Sequence, residues 1–158
     1  MVDFKTLWDN HPGTAKPCDS ELFGNQCAIR MGIALRKSGI GLSDYRGKLC
    51  NEYAKLSDHV PGHTRGAQDL ANVFYRNPKL LGTKTKTQIF EGTVDDNMEA
   101  LKAMKGMIFV MNGWSGGTDH IDVWDGSIPK MKGTSVRSGY YGSVGKQIWV
   151  WDLVTTTS

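Results

Sequence analysis

The chain has 158 residues, long enough to bury one substantial core and most simply a single domain over 1–158. With 39% hydrophobic residues, 22% charged residues and a net charge of +3, it has an ordinary globular balance, and its basic residues form no block suited to nucleic acid. No stretch approaches the roughly 18 apolar residues of a membrane span, and Met1 to Asn10 lacks the basic and apolar regions of a secretory signal, so synthesis in the cytoplasm without a cleaved leader is expected.

Residues 1–24 read as a short helical or extended start, then a loop through Asn10-His11-Pro12-Gly13 and Pro17-Cys18. A first helix is expected from Gln26 to Ser38, capped by Asn25 and stopped by Gly39. Ala28, Met31 and Leu35 mark one buried stripe and Ile29 and Ile33 a second, so this helix should be enclosed on most sides. Cys27 falls in its first turn, beside unpaired backbone N–H groups at the positive end of the helix dipole, a setting that stabilises a thiolate. The plainer alternative is a small buried apolar side chain, the commoner fate of cysteine.

Residues 39–62 are irregular. A second helix is expected from Thr64 to Arg76, with Thr64 as cap, Ala67, Leu70, Ala71 and Phe74 on one face, and Asn77-Pro78 as the end. Lys84 and Lys86 alternate with threonines over 83–87 as on a solvated strand edge, and Gln88 to Phe90 reads as a short strand. A third helix is expected from Val94 to Lys105, capped by Thr93 with Asp96 three residues on and stopped by Gly106. Beyond Gly106 the apolar period shortens towards two, predicting strands over Met107–Met111, Thr118–Trp124 and Gln147–Val154. Helices first and an antiparallel sheet afterwards define an α+β fold.

Four histidines could partner Cys27. His11 sits in a loop with no supporting pattern, and Pro61-Gly62 between His59 and His63 breaks the helix that a metal pair would need, so no metal site or cofactor is expected. His120 lies on a strand where Ile121 and Val123 point one way and His120, Asp122 and Trp124 the other. A histidine so placed opposite a helix N-terminus can take the proton of a thiol, giving the activated nucleophile of cysteine hydrolases. Asp122 is the first choice to orient the imidazole, with Asp125, Ser135 or a main-chain carbonyl as alternatives. An oxyanion hole would combine the Cys27 backbone N–H with the side chain of Asn25 or Gln26, and Trp114 would form a wall of the substrate cleft. Cys18 and Cys50 either pair, leaving Cys27 alone, or all three cysteines stay reduced.

Five blocks carry a resemblance: Asn25-Gln26-Cys27-Ala28-Ile29-Arg30-Met31, His63-Thr64-Arg65-Gly66-Ala67-Gln68-Asp69-Leu70-Ala71, Gly106-Met107-Ile108-Phe109, Asp119-His120-Ile121-Asp122-Val123-Trp124-Asp125-Gly126 and Gln147-Ile148-Trp149-Val150-Trp151. In this order they resemble the type VI secretion amidase effectors of family four. The resemblance implies a papain-like, NlpC-type cysteine peptidase fold with Cys27 as nucleophile and His120 as base. It implies a DL-endopeptidase that cuts the bond between D-glutamate and meso-diaminopimelate in peptidoglycan stem peptides, after delivery by the type VI machinery to a rival bacterium's periplasm. It also implies a cognate immunity protein, dimeric, that puts a loop into the active-site cleft. The family pattern has an aspartate further beyond the histidine, near the place Met131 holds here, in a loop that cysteines can flank. No cysteine follows Cys50 in this chain. Other readings of the same residues are an amidase or deamidase acting on a protein, and a non-catalytic wall-binding module using Trp114, Tyr140 and Tyr141.

Overall fold

The computed structural model describes residues 2–13, 27–45, 66–111, 119–133 and 145–153. Its frame is a five-stranded sheet in the order β1-β5-β2-β3-β4, formed by β1 (Gln88–Glu91), β2 (Lys105–Met111), β3 (His120–Asp125), β4 (Lys130–Met131) and β5 (Gln147–Asp152). Every neighbouring pair is antiparallel. Four helices accompany it among the described residues: α1 (Phe4–Asn10), α2 (Cys27–Lys37), α3 (Ala67–Arg76) and the single turn α4 (Met98–Leu101).

The sheet is covered on both faces, so β2, β3 and β5 are buried almost throughout instead of alternating. Met107, Phe109, Ile121, Val123, Trp149 and Trp151 join one apolar cluster with Leu7 of α1, Cys27, Met31 and Leu35 of α2, and Leu70 and Phe74 of α3. Ile108, Val110, Trp124, Met131, Ile148 and Val150 join a second with Val94 and Leu101. The indole of Trp124 anchors the second layer by donating to the Leu101 carbonyl at 2.9 Å, and that of Trp151 reaches the Phe74 carbonyl at 3.1 Å.

Helix α2 matches its sequence pattern closely. Ala28, Met31 and Leu35 are buried, as is Ile29, while Ile33 is half-buried. Gly39 ends the helix with φ +87°, its N–H bonding the Arg36 carbonyl and the Ile40 N–H the Leu35 carbonyl. That Schellman closure satisfies carbonyls the helix would otherwise leave open. Helix α3 begins later than expected: Gly66, extended at φ −103°, is its N-cap, and Thr64 lies outside the described residues.

The expected helix over 94–105 is corrected. Thr93 and Asp96 do form a reciprocal capping box, at 3.1 and 3.0 Å. A 3₁₀ turn Asp95–Asn97 and the short α4 follow, and by Lys105 the backbone has joined the sheet. There Lys105 pairs with Asp125, its N–H reaches Asp152 and its carbonyl accepts from Leu153, so tertiary pairing overrides local helix preference. Gly106 is therefore no helix stop but part of β2. Residues 83–87 form a turn and an irregular approach to edge strand β1, with Lys84 and Lys86 exposed.

A Cβ on Gly106 would lie 1.9 Å from the Trp151 carbonyl oxygen, a backbone atom that cannot move without separating β2 from β5. Gly106→Ala is predicted to lower unfolding free energy by at least about 3 kcal/mol, the upper end for overpacking. Gly39→Ala, with open space around its Cβ, should lose only the roughly 1–2 kcal/mol of a left-handed alanine. Urea unfolding of both variants checks the order, and equal losses would contradict this packing.

Candidate active site

Cys27 is the first residue of α2 and is buried, 4% exposed, against the start of β3. Its Sγ lies 3.8 Å from the Asp119 carbonyl, and it is close enough to the His120 side chain to favour that ring's charged form. Because α2 is enclosed by α1, α3 and β3, the sulfur sits on a rigid support. No acidic residue stands in the helix's first turn, so no fixed negative charge there opposes a thiolate.

His120 opens β3, paired across the ladder with Val110. It is two residues from Asp122, and the two-residue period of a strand puts both side chains on one side. The imidazole Nε2 meets Asp122 Oδ2 at 2.8 Å. That engagement leaves Nδ1 as the ring nitrogen for Cys27. In the sequence, shared face alone makes Asp122 the first choice, with some divergence of the two side chains expected. Here they meet at bonding distance.

The carboxylate is fully buried and held from several directions. Oδ1 accepts the Val123 N–H at 2.8 Å, and the Gly133 N–H is shared between Oδ1 and Oδ2 at 2.9 and 3.0 Å. These donors are available because β4 pairs with β3 only at Trp124 and Asp125. Where the ladder opens, the Asp122 side chain takes the place of a partner strand. Gly133 is required sterically, since a Cβ there would lie 2.7 Å from Asp122 Oδ2.

The electrostatics follow from this enclosure. Burial pushes His120 down, but its bond to Asp122, the neighbouring Cys27 thiol and the charges of both outweigh burial and raise its pKa to about 9. Burial would raise Asp122; the His120 bond and charge, His11 and the Gly133 N–H together hold it below the usual carboxylate range. The result is an ionised carboxylate and an imidazole that keeps its proton well above neutrality beside a sulfur atom. That arrangement suits a thiolate–imidazolium pair.

One residue of the pocket had no signal in the sequence. His11 caps α1, its N–H bonding the Trp8 carbonyl, and its ring is buried with Nε2 3.3 Å from Asp122 Oδ1. Burial outweighs the attraction of Asp122 and lowers its pKa to about 4, so at neutral pH the contact is not an ion pair. Spacing could not have found it, because a loop histidine 111 positions from Asp122 in sequence meets it only in the folded chain.

The other expected residues separate. Asp125 is occupied by the turn after β3, accepting from the N–H and hydroxyl of Ser127, and does not join His120. Met131 pairs with Trp124 and is buried in the second apolar cluster, so the carboxylate at His120 comes from within β3. Asn25, Gln26, Trp114, Ser135, Tyr140 and Tyr141, like Cys18, Cys50, His59 and His63, lie outside the described residues. Among the described residues no group of His, Cys, Asp and Glu could hold a metal ion, and no helix is long and apolar enough to cross a membrane.

Fold and pocket define an α+β protein in which a helix-borne cysteine meets a strand-borne histidine–aspartate pair. The family model for the type VI secretion system amidase effector protein 4, Tae4, matches residues 23–151, and the chain belongs to that family. Among solved structures it is similar to the Tae4–Tai4 effector–immunity complex from Salmonella Typhimurium, at TM-score 0.66 and 17% identity over 97% of this chain and 99% of that one. It is also similar to the Tae4–Tai4 complex from Enterobacter cloacae, at TM-score 0.64 and 19% identity over 97% and 99%. Both likenesses are of fold. Comparison with curated proteins found no match.

The opposed shifts of the two histidines predict a pH profile of stability. His11, depressed to about 4 from 6.5, contributes stability present above pH 6.5 and lost as pH falls towards 4. His120, raised to about 9, contributes stability present below pH 6.5 and lost as pH rises through 9. Urea unfolding across this range should show His11→Gln losing part of the acid limb between pH 6.5 and 4 while keeping the alkaline limb; an unchanged acid limb would contradict the burial of a neutral His11. Gly133→Ala, which displaces the carboxylate, should lower turnover about tenfold or more, and a fully active variant would contradict the close approach.

Proposed function

We propose that the chain is a peptidoglycan hydrolase of papain-like, NlpC-type construction that acts as an antibacterial effector. Its substrate is the stem peptide, and the bond cut is the one between D-glutamate and meso-diaminopimelate. In the resting pair the proton of Cys27 already sits on His120, and the thiolate sulfur attacks the D-glutamyl carbonyl. The C–N bond then breaks as His120 returns the proton to the leaving amine of diaminopimelate, leaving a thioester on Cys27. Water attacks the thioester, His120 takes the water's proton, and release of the acid frees the sulfur as a thiolate beside the protonated imidazole, restoring the resting pair. Asp122 holds the imidazole with Nδ1 towards the sulfur and stabilises its positive form. The Cys27 backbone N–H, with Asn25 or Gln26, would receive the oxyanion, and Trp114 would wall the cleft.

The observation that carries this reading is the His120–Asp122 pair, bonded at 2.8 Å and electrostatically coupled to Cys27, in a chain of the amidase effector family. The same membership supports delivery by the type VI machinery into a rival's periplasm. It supports too a cognate immunity partner, as relatives of this fold are found in complex with Tai4; that partner would be dimeric and block the cleft.

Purified sacculi incubated with the protein should release fragments shortened at the D-glutamyl–diaminopimelate bond, identified by mass spectrometry. Cys27→Ala should release none. Asp122→Asn is expected to reduce kcat by roughly a hundredfold, the lower range for loss of an acid–base partner. Digestion by Cys27→Ala at the wild-type rate would remove the thioester mechanism, and cleavage at another bond would remove the substrate assignment.

A further inference from the structure

We propose that His11 is a positioning residue that fixes the Asp122 carboxylate through its Nε2–H, making the relay one group longer: Cys27, His120, Asp122, His11. The proposal rests on the reading of Cys27, His120 and Asp122 given above.

The tautomer follows from the local bonds. His11 Nδ1 accepts the Gly13 N–H at 3.0 Å, so in the neutral ring the proton is on Nε2. That Nε2 is buried, lacks any hydrogen bond among the described residues, and faces Asp122 Oδ1 at 3.3 Å. A buried donor without an acceptor is a standing penalty, and the nearest acceptor is a carboxylate. In unliganded sites such bonds are often long or misaligned and tighten when the reacting groups engage. The two carboxylate oxygens then have separate tasks, Oδ2 to His120 and Oδ1 to His11, and the group cannot rotate about its own axis.

The N-terminal segment is built to hold His11 there. Lys132, the neighbour of Gly133, donates to the Trp8 carbonyl at 2.7 Å and lies 5.0 Å over the Trp8 ring. Asn10 bonds the Ser38 hydroxyl at 3.1 Å, tying the end of α1 to the end of α2. The segment is thus clamped to the turn that supplies Gly133 and to the helix that supplies Cys27. A neutral donor suits this place better than a cation, since burial, helped by the charges of Lys132, Arg30 and His120, outweighs the attraction of Asp122 for a charged His11.

Two substitutions separate the ring's two contacts. His11→Asn keeps a group at the Nδ1 position, so it can still serve the Gly13 turn. His11→Gln keeps an amide N–H at the Nε2 position, so it can still serve Asp122. Two readouts are taken: carboxamidomethylation of Cys27 by iodoacetamide at neutral pH, followed on the Cys27 peptide, and kcat and KM on a synthetic peptide carrying the D-glutamyl–diaminopimelate bond. His11→Asn should lower both the alkylation rate and kcat about tenfold with KM little changed, and His11→Gln should recover most of each. Rescue by Asn instead of Gln, or wild-type rates in His11→Asn, would overturn the proposal. Independently of any variant, ¹⁵N NMR of the intact protein should show His11 neutral and protonated on Nε2 at pH 7, and the opposite tautomer would overturn it. The His120→Ala variant tests the underlying reading alone. If Cys27 reacts equally fast with and without His120, the cysteine–histidine pair itself fails, whereas a slowed His120→Ala with an unaffected His11→Asn removes only the role of His11.

Discussion

The fully buried negative charge of the Asp122 carboxylate is the constraint on which the rest of this structure depends. An ionised carboxylate removed from water loses several kcal/mol of solvation unless its surroundings replace it. Here the replacement is the Val123 and Gly133 backbone N–H groups and the His120 imidazole, with His11 facing the remaining side. Each of these requires something of the fold. The Val123 and Gly133 donors exist because β4 stops pairing after Trp124, and Gly133 approaches because it has no side chain. The charge in turn keeps His120 protonated against a burial that would otherwise neutralise it.

The two apolar layers explain why that charge can be held still. Trp124 lies two residues beyond Asp122 with its indole locked to the Leu101 carbonyl, and Ile121 and Val123 are packed beneath α2 and α3. A strand pinned on both faces has little freedom to twist, so the side chains of His120 and Asp122 keep their spacing. Helix α2, closed by its glycine and clamped against β3, brings Cys27 to the same place from the other direction. The pocket is thus assembled from two elements far apart in sequence, joined through one continuous core. The same fold recurs in effectors only 17 and 19% identical, so this core tolerates large changes in sequence.

Local chemistry made part of this legible in the sequence. The apolar stripes and terminal glycine of α2, the capping box at Thr93 and Asp96, and the short apolar period of β2, β3 and β5 all have near-neighbour causes, and each corresponds to an observed feature. The length of the helix after Thr93 was not legible, because Lys105 and Gly106 are drawn into the sheet by partners in β3 and β5. The shared face of His120 and Asp122 could be read from the strand period, but the donors that secure the carboxylate could not. Gly133 looks like any turn glycine, and His11 like any loop histidine, until the fold brings both to Asp122. Met131 illustrates the converse: a position expected near the histidine's partner turns out to belong to the core.

The central claim is that Asp122 makes His120 a lasting proton carrier beside Cys27. It is tested most directly by following the His120 ring nitrogens by ¹⁵N NMR across pH in the intact protein. The account predicts a titration midpoint near 9, well above the ordinary 6.5, that falls in Asp122→Asn. A midpoint at or below 6.5 in the wild-type chain would contradict it.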